Sequence, residues 1–380
     1  MIFLQEIFSS AGNKNREINM AYRLKHSVKI LWQACLVLAV VLSSCTGLIF
    51  DDLEGCEKGV YINFRYDYNL QRADMFADHV GEVTVYVFDE NGNYITRQTE
   101  SNEDGYKPLK ENGYAMFMNL PAGKYRFVAL AHQRKYDDLM AEDGAKFVRS
   151  EMDENNRMED LKITLSHQTD AEGRAYIDHQ NMPLDTLWHA ISDDVVEVAR
   201  GRYTYHTLSL MRNTKYISVI LRNIDASLQM DINDYELYIA GANVRLNHDN
   251  SSDPSIKALC TPYAVWNTYD SDTDSRIAVG TMGHADFMTS RIFSHENLSD
   301  DEVLVIKNKT TGKEVVKVNL PELLSRLSSY DEINRYSKQE FLDRGYDYDL
   351  TFFLSDDSWV YANVSIGILG WTKRVQNVDL

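Results

Sequence analysis

The chain has 380 residues and a formal net charge of -18, and 44% of its residues are hydrophobic while 25% are charged. These proportions are typical of a folded globular protein and exclude a disordered, collagenous or low-complexity chain. The acidic balance also excludes a general nucleic-acid binder, because such a protein needs a basic surface to neutralise phosphates. The length predicts two domains of ordinary size.

An export signal is predicted near the N-terminus. Basic residues in the segment 20–29 precede an apolar run over residues 30–41. This run is shorter than the roughly 20 apolar residues that a transmembrane helix needs, so it is typical of a signal peptide. Residues 1–19 fit no part of such a signal, and Met20 is a better start than Met1.

A lipidation site follows the apolar run. Residues 42–45 read Leu-Ser-Ser-Cys, which resembles the bacterial lipobox. A thiol is needed there to accept diacylglycerol, and the small side chains before it let a signal peptidase hold an extended backbone. We expect cleavage between Ser44 and Cys45, so that the signal peptide 1–44 is removed and Cys45 carries the lipid. An ordinary secretory signal that contains a cysteine is the alternative.

The segment 45–58 is predicted to be a lipidated tether. Three acyl chains, each contributing about 0.8 kcal/mol per buried CH₂, would hold a folded domain on a bilayer almost permanently. Asp51, Asp52 and Glu54 follow the cysteine closely. An acidic patch there resembles the surface-export signal of Bacteroidetes lipoproteins, and a solvated linker is the alternative. We expect a lipid-anchored protein of the outer membrane, exposed at the cell surface.

Two further cysteines, Cys56 and Cys260, remain in the mature chain. An exported protein can oxidise such a pair, so the two form a candidate disulfide. The sequence contains no distance between them, and a disulfide requires a narrow range of distances. Two unpaired thiols are therefore the favoured interpretation.

The first half of the mature chain alternates apolar and polar residues with a period of two, which predicts β-strands. An Asn-Gly pair at 91–92 predicts a hairpin turn. Strands are predicted at 59–66, 83–88, 94–96, 114–118 and 124–130, with short helices at 74–79 and 136–141.

The second half shows the same alternation, most clearly at Val360–Ile368. Strands are predicted at 203–210, 216–221, 236–240, 303–307, 314–318 and 360–368, with a helix at 337–343. No linker rich in proline or serine separates the halves. We expect an all-β chain with minor helices, with an N-terminal antiparallel β-sandwich over 59–198 and a C-terminal one over 199–380.

Several segments, in the right order, resemble the FimB/Mfa family of fimbrial subunits. They include VTVYVFDENGNYI (83–95), NLPAGKYRFVALA (119–131), LSLMRNTKYISVILRN (208–223) and FLDRGYDYDLTFFL (341–354). The resemblance covers almost the whole mature chain. Ala190 departs from the glycine expected after the Trp-His pair, and we interpret it as a local change of turn.

The resemblance implies a lipid-anchored component of Bacteroidetes type V fimbriae. The implied fold is two tandem transthyretin-like β-sandwiches. The implied role is to hold the fimbrium in the outer membrane and to end its growth. Its implied partners are fimbrial stalk subunits and, through the N-terminal lipid, the outer membrane. No cofactor, nucleic acid or small-molecule substrate is expected.

Catalytic motifs are not found in the sequence, and the chain is not expected to be an enzyme. The histidines show no H-E-x-x-H spacing, and no G-x-S-x-G or P-loop motif occurs. Asp270-x-Asp272-x-Asp274 begins like a calcium loop, but Ser275 replaces the required glycine. No metal site is therefore expected.

Two features are interpreted as structural. Trp188-His189 is more typical of a buried hydrogen-bonding pair than of a site. The carboxylates around one apolar pattern are expected to face water; they are Asp347, Asp349, Asp356 and Asp357.

Two other functions, and one other interpretation of a strand, stay open at this point. A surface glycan-binding lipoprotein would share the lipobox, the sandwiches and the aromatic content. A surface hydrolase would need convergent carboxylates with raised pKa values in a cleft. The segment Val360–Ile368 has the alternation that strand exchange with a stalk subunit would need, although a strand of its own sheet is the favoured interpretation.

Overall fold

The structure is a computed structural model, and it describes residues 59–225, 228–269, 280–330, 336–355, 358–368 and 371–379. Over these residues the chain is mostly β, with several sheets and short helices, as the sequence predicts. No helix among them is long and apolar enough to cross a membrane.

In chain order, the strands are β1 (Gly59–Tyr68), β2 (Glu82–Asp89), β3 (Tyr94–Ser101), β4 (Ala115–Met118), β5 (Gly123–His132), β6 (Phe147–Arg149), β7 (Ile163–Leu165), β8 (Gln168–Thr169), β9 (Ala175–Ile177), β10 (Leu187–Ile191), β11 (Val196–Val198), β12 (Tyr203–Arg212), β13 (Lys215–Asn223), β14 (Tyr235–Gly241), β15 (Arg245–Leu246), β16 (Ala258–Cys260), β17 (Ala264–Tyr269), β18 (Thr281–Thr289), β19 (Val303–Asn308), β20 (Glu314–Asn319), β21 (Asp347–Ser355), β22 (Ser358–Ile368) and β23 (Trp371–Asp379).

Short helices interrupt the strands. The α-helices are α1 (Phe76–His79), α2 (Tyr136–Ala141), α3 (Leu320–Ser325) and α4 (Lys338–Arg344), and the 3₁₀ turns are Pro108–Lys110, Met158–Asp160, Ile232–Asp234, Leu298–Asp300 and Arg326–Tyr330. Helix α4 begins where the Ser337 hydroxyl accepts a hydrogen bond from the Glu340 amide, which is the preferred chemistry of a helix N-terminus.

The first sheet has eight strands in the order β3-β2-β5-β10-β12-β1-β4, with β11 beside β5. Its two edge strands meet, because the Gln98 side-chain amide in β3 donates to the Phe117 carbonyl in β4 at 3.1 Å. The curled sheet encloses one hydrophobic core, to which β1 contributes Val60, Ile62 and Phe64. The period-two pattern of this segment thus reflects one face turned to that core.

The central strands of this sheet are buried on both faces. In β2, Val85 and Val87 belong to the first core, whereas Tyr86 and Phe88 belong to a second, larger core. This double burial explains why four successive residues of β2, Val85–Phe88, are all apolar, where the alternation predicted for 83–88 would turn every second side chain to water.

Two six-stranded sheets contribute to the second core. Their orders are β17-β18-β13-β21-β22-β23 and β20-β19-β14-β16-β9-β8, and a small sheet of β15, β7 and β6 lies beside them. Ile217 and Val219 of β13 and Leu304 and Ile306 of β19 belong to this one cluster. The apolar residues at every second position of β13 therefore point toward the opposite sheet.

Three strand pairs are parallel, which corrects the expectation of purely antiparallel sheets. They are β1 with β12, β13 with β21, and β16 with β9. The paired strands are far apart in the chain, so no tight hairpin forces them to run in opposite directions.

Strands cross the expected domain boundary between residues 198 and 199 in both directions. β12 follows the boundary but lies in the first sheet, and β8 and β9 precede it but lie beside β16. The contacts join Lys58–Leu380 into one compact unit. The division into domains 59–198 and 199–380 stays a prediction.

The segment Val360–Ile368 is a strand of its own sheet, as favoured, but it is not the last strand. β22 pairs with β21 on one side and with β23 on the other. Ala362, Val364 and Ile366 point into the second core. Because both of its edges are occupied, β22 offers no free strand for exchange.

Candidate functional site

The predicted lipidation and cleavage residues, Cys45 and Ser44, lie outside the described residues, as does Cys56. The first described residue, Gly59, begins β1 directly after the predicted tether. The calcium-loop-like segment at 270–275 also lies outside them. Among the residues that the structure describes, no group of three or more histidine, cysteine or acidic side chains could hold a metal ion.

Cys260 is a free, buried thiol. Its Sγ lies 3.4 Å from the Met288 carbonyl oxygen and 3.6 Å from Nε2 of His179. Burial raises the pKa of the thiol to about 12 and lowers the pKa of His179 to about 4. Both groups are therefore neutral near pH 7, and the thiol lacks the thiolate character of a reactive cysteine. Pairing with Cys56 stays a prediction.

Trp188 and His189 are structural, as predicted. Trp188 is fully buried and packs edge-on against Tyr66 with ring centroids 5.7 Å apart. His189 donates from Nε2 to the His248 carbonyl at 2.8 Å, which joins β10 to the loop after β15. Burial lowers the pKa of His189 to about 4, so the imidazole is neutral and holds one fixed donor there.

A network of buried and partly buried charged side chains, termed the junction cluster, joins the first sheet to α4 and to the start of β21. It consists of Arg212, Lys215, Arg291, Asp343 and Arg344. Sequence reasoning missed this cluster because its members are spread over 130 residues, and no local spacing marks them.

Lys215 lies at the centre of the junction cluster. Its Nζ donates to three backbone carbonyls at the end of α4: those of Leu342 at 2.7 Å, Asp343 at 3.0 Å and Gly345 at 2.7 Å. Burial lowers the pKa of Lys215 to about 7, and Asp343 opposes that shift. The lysine thus satisfies helix carbonyls that have no partner within the helix.

Arg291 and Asp343 form the strongest ion pair of the cluster. Nε and Nη2 of Arg291 donate to the two carboxylate oxygens of Asp343 at 2.7 and 2.8 Å, and both side chains are nearly buried. Arg291 also donates to the Asn250 carbonyl. Asn250 in turn exchanges two side-chain hydrogen bonds with Asn213, at 2.7 and 3.0 Å. These bonds connect the loop after β18, α4 and the turn between β12 and β13.

Stacked aromatic and guanidinium groups extend the cluster to the end of β1. Arg344 lies over the rings of Tyr68 and Tyr336, at 4.1 and 4.9 Å from the centroids. Nε of Arg72 donates to the Tyr336 hydroxyl at 2.7 Å. The chain that leaves the predicted tether as β1 is therefore connected mechanically to α4.

Asp347 and Asp349 are half-buried, not turned to water as expected. Burial raises the pKa of both carboxyls, and the Ser365 hydroxyl donates to Asp349 at 3.2 Å. Neither carboxyl lines the cleft beside α1 or the two cavities near Ala242. Asp356 and Asp357 lie outside the described residues.

A charged cleft of about 900 Å³ is lined by residues around α1, the loop 102–110 and the start of α2. Two smaller cavities of about 390 and 510 Å³ lie near Ala242, Lys257 and Asp300. Both signs of charge are mixed along their walls, so none of them concentrates acids or bases as a catalytic cleft does.

Four aromatic rings, two exposed and two half-buried, form a group on the outer face of the first sheet, termed the aromatic patch. Tyr61 of β1 lies between Phe117 of β4 and Tyr203 and Tyr205 of β12, with ring centroids 5.0, 5.3 and 5.3 Å away. Tyr61 is directly opposite Phe117 and Tyr205 in the strand registers. Sequence reasoning missed the patch because the parallel pairing of β1 with β12 was not predicted.

Comparison with known proteins identifies the family. The family described as "Fimbrillin-A associated anchor proteins Mfa1 and Mfa2" matches residues 53–377. The chain belongs to this family of fimbrial anchor proteins. The match begins within the predicted tether and covers all of the sheets.

Individual relatives agree with the family. The minor fimbrium anchoring subunit Mfa2 of Porphyromonas gingivalis is 24% identical over 352 residues, covering 89% of this chain and 92% of the relative. The solved structure of that fimbrial anchor protein covers 84% of this chain and 100% of its own, with a TM-score of 0.56 at 19% identity.

Two structures from Bacteroides thetaiotaomicron are also similar. One, described as a putative adhesin, has a TM-score of 0.67 at 26% identity and covers 84% of this chain and 99% of its own. The other, described as a putative polysaccharide binding protein, has a TM-score of 0.62 at 28% identity with the same coverage.

Membership confirms the anchoring role that the resemblance implied. The chain is a fimbrial anchor subunit, a structural protein and not an enzyme. Its family associates with fimbrial subunits and with the cell surface and outer membrane. The junction cluster and the two hydrophobic cores are thus parts of a protein that must stay folded while a fibre pulls on it.

Proposed function

We propose that this anchor is held in the outer membrane by acyl chains on Cys45 and that its folded part binds fimbrial stalk subunits at the cell surface. The observation that carries the proposal is the order of features along the chain. A basic segment, an apolar run and a lipobox end at Cys45, and the match to the anchor family begins only eight residues later, at residue 53. The lipid is therefore placed where an anchor needs it, directly ahead of its folded part.

The tether also sets how far the folded part stands from the bilayer. From Cys45 to Gly59 the chain has 14 residues, which span at most about 50 Å when fully extended. That reach is similar to the diameter of a domain of this size. The fold is thereby kept at the cell surface, within the distance at which a fibre base must sit.

We further propose that the fold comprises two transthyretin-like sandwiches in tandem and that the anchor ends fibre growth. The separate hydrophobic cores support two sandwiches. β12 lies in the first sheet, whereas β6 to β9 lie in sheets with strands of the second half, so the chain passes between the two sandwiches more than once. A subunit fixed to the membrane at one end cannot be extended from that end, and this favours a role in termination.

A surface glycan-binding lipoprotein is the second candidate, and the aromatic patch is the observation that favours it. Exposed rings can stack on sugars. The rings, however, lie on an open sheet face and line none of the three cavities, whereas small-molecule sites are usually concave. The anchor therefore remains the function that the chain supports best.

Mass spectrometry of protein extracted from membranes tests the lipid directly. We expect a chain that starts at Cys45 and carries acyl chains. An unmodified N-terminus at another residue would remove the basis of membrane attachment through Cys45.

A further inference from the structure

The aromatic patch has a special position in the chain. Tyr61 is two residues after Gly59, where the chain leaves the predicted tether, and Gly59 itself is paired with Tyr203. The patch therefore lies where the protein is connected to its proposed lipid. This inference rests on the proposed lipidation of Cys45.

The chemistry of the patch suits the surface of a bilayer. Tyr203 and Tyr205 are 41% and 68% exposed, and tyrosine rings place an apolar body and a polar hydroxyl at the boundary between lipid tails and water. Further along the same face β1 and β12 carry polar residues, such as Asn63 and Thr207. The aromatic character is thus confined to the end nearest the tether.

Positive charge flanks the patch in an otherwise acidic protein. Arg200 and Arg202 are exposed and immediately precede Tyr203. The whole chain carries a formal charge of -18, so most of its surface is repelled by anionic lipid headgroups. The two arginines beside Tyr203 in sequence supply positive charge for lipid phosphates, while the tether that enters at the same end carries the acidic Asp51, Asp52 and Glu54.

The tether makes even a weak contact effective. A binding site joined to its target by a short linker meets that target at an effective concentration in the millimolar range. Four rings would not hold a free protein on a membrane, but the acyl chains would keep them within about 50 Å of it. Contact then serves to orient the fold and not to provide the attachment.

We propose that the aromatic patch rests against the lipid surface in which Cys45 is anchored. With this contact, the end of the first sheet that carries Tyr61 and Tyr205 faces the bilayer. The sheets of the second core are left free to face outward, toward the fibre.

Brominated lipids provide the test. Tyr205→Trp places a fluorophore in the patch, and Tyr269→Trp, in a tyrosine that is 72% exposed in β17 of another sheet, is the matched control. Full-length lipidated protein of each variant is inserted in vesicles of phosphatidylethanolamine and phosphatidylglycerol with or without bromine on the acyl chains. The emission added by the new tryptophan is read as the difference from unchanged protein.

We expect bromine to quench most of the emission added at position 205 and little of that added at position 269. Combining Tyr205→Trp with Arg200→Glu and Arg202→Glu should reduce the quenching. Equal emission with and without bromine at position 205, in protein that floats with the vesicles, would overturn the patch proposal and leave the lipid anchor intact.

The other outcomes are also decisive. A blue-shifted but unquenched emission would mean that another part of the protein covers the patch. A response to added polysaccharide alone would mean a glycan site. Either result contradicts a lipid contact. Protein whose mass shows no acyl chains would overturn both the anchor at Cys45 and the contact that depends on it.

Discussion

Glu302 is an ionisable side chain held almost fully inside the protein. Burial raises the pKa of its carboxyl from 4.5 to about 8, and the Phe293 amide donates to Oε2 at 3.2 Å. Gly241 lies so close that a Cβ there would be 2.6 Å from Cγ of Glu302. The absence of a side chain at this glycine makes room for the carboxyl.

Glu302→Gln is expected to stabilise the protein at neutral and alkaline pH. Between pH 4.5 and about 8 the folded protein keeps a proton that the unfolded chain releases, so the free energy of unfolding falls as pH rises. Glutamine keeps the acceptor oxygen and removes this loss. The gain should be on the order of 1–3 kcal/mol at pH 7 and should vanish near pH 4. Urea unfolding over pH 4–8 measures it, and a difference that is constant with pH would contradict the assignment.

His189 confers the opposite dependence on pH. Its folded pKa is lowered to about 4 from 6.5, so the unfolded chain binds a proton between these values and the folded protein does not. The free energy of unfolding should therefore rise with pH from about 4 to 6.5.

In His189→Gln this rise with pH should be lost, while the donor to the His248 carbonyl is kept. His189→Phe removes the donor as well and should be less stable at every pH. Urea unfolding of the unchanged protein and of both variants measures how the free energy of unfolding depends on pH. If the rise between pH 4 and 6.5 persists in His189→Gln, it arises from groups other than His189.

At the scale of elements, the ion pair between Arg291, in the loop after β18, and Asp343 of α4 is the contact to test. Arg291→Ala and Asp343→Ala each leave a buried charge without its partner, and each is expected to cost about 3–5 kcal/mol of the free energy of unfolding. The double variant should be more stable than the sum of the two costs predicts, with a coupling of about 1–3 kcal/mol.

An exposed ion pair serves as the control for that cycle. Lys317 and Glu314 form a salt bridge whose side chains are 60% and 44% exposed, and surface pairs contribute at most about 1 kcal/mol. The same double-mutant cycle there should show a coupling near zero. Equal couplings in the two cycles, measured by urea unfolding, would show that the Arg291–Asp343 pair does not help to bind α4 to the sheets.

Local patterns predicted the elements well where one face of a strand is buried and the other is wet. The strands that became β1, β13 and β22 are of this kind, and the Asn-Gly turn after β2 joins two paired strands as predicted. The short strands β6 to β9 were missed because two or three residues carry no measurable periodicity. Parallel pairs such as β1 with β12 depend on contacts between distant segments, which no local pattern contains.

For the whole molecule, the order of the recognised segments carried the prediction of function, and the family match confirms it. Of the candidate functional residues, the sequence predicts only those of the lipobox, because a lipobox is a contiguous motif. The junction cluster and the aromatic patch arise from side chains that folding brings together from separate segments. No distance between those segments can be read from the sequence alone.

The central claim is that Cys45 fixes the fimbrium to the cell, and its replacement tests it most directly. Cys45→Ala removes the proposed site of lipidation and should leave both cores unchanged, because the tether precedes β1. Cys56→Ala, in the same tether, is the matched control. In a strain that expresses fimbriae, attached fibres are counted and measured by electron microscopy, and shed fimbrial protein is quantified in the medium. Cys45→Ala should release most fimbriae and leave the remainder abnormally long, whereas Cys56→Ala should match the parent strain. Unchanged number and length of attached fimbriae in Cys45→Ala would contradict the account.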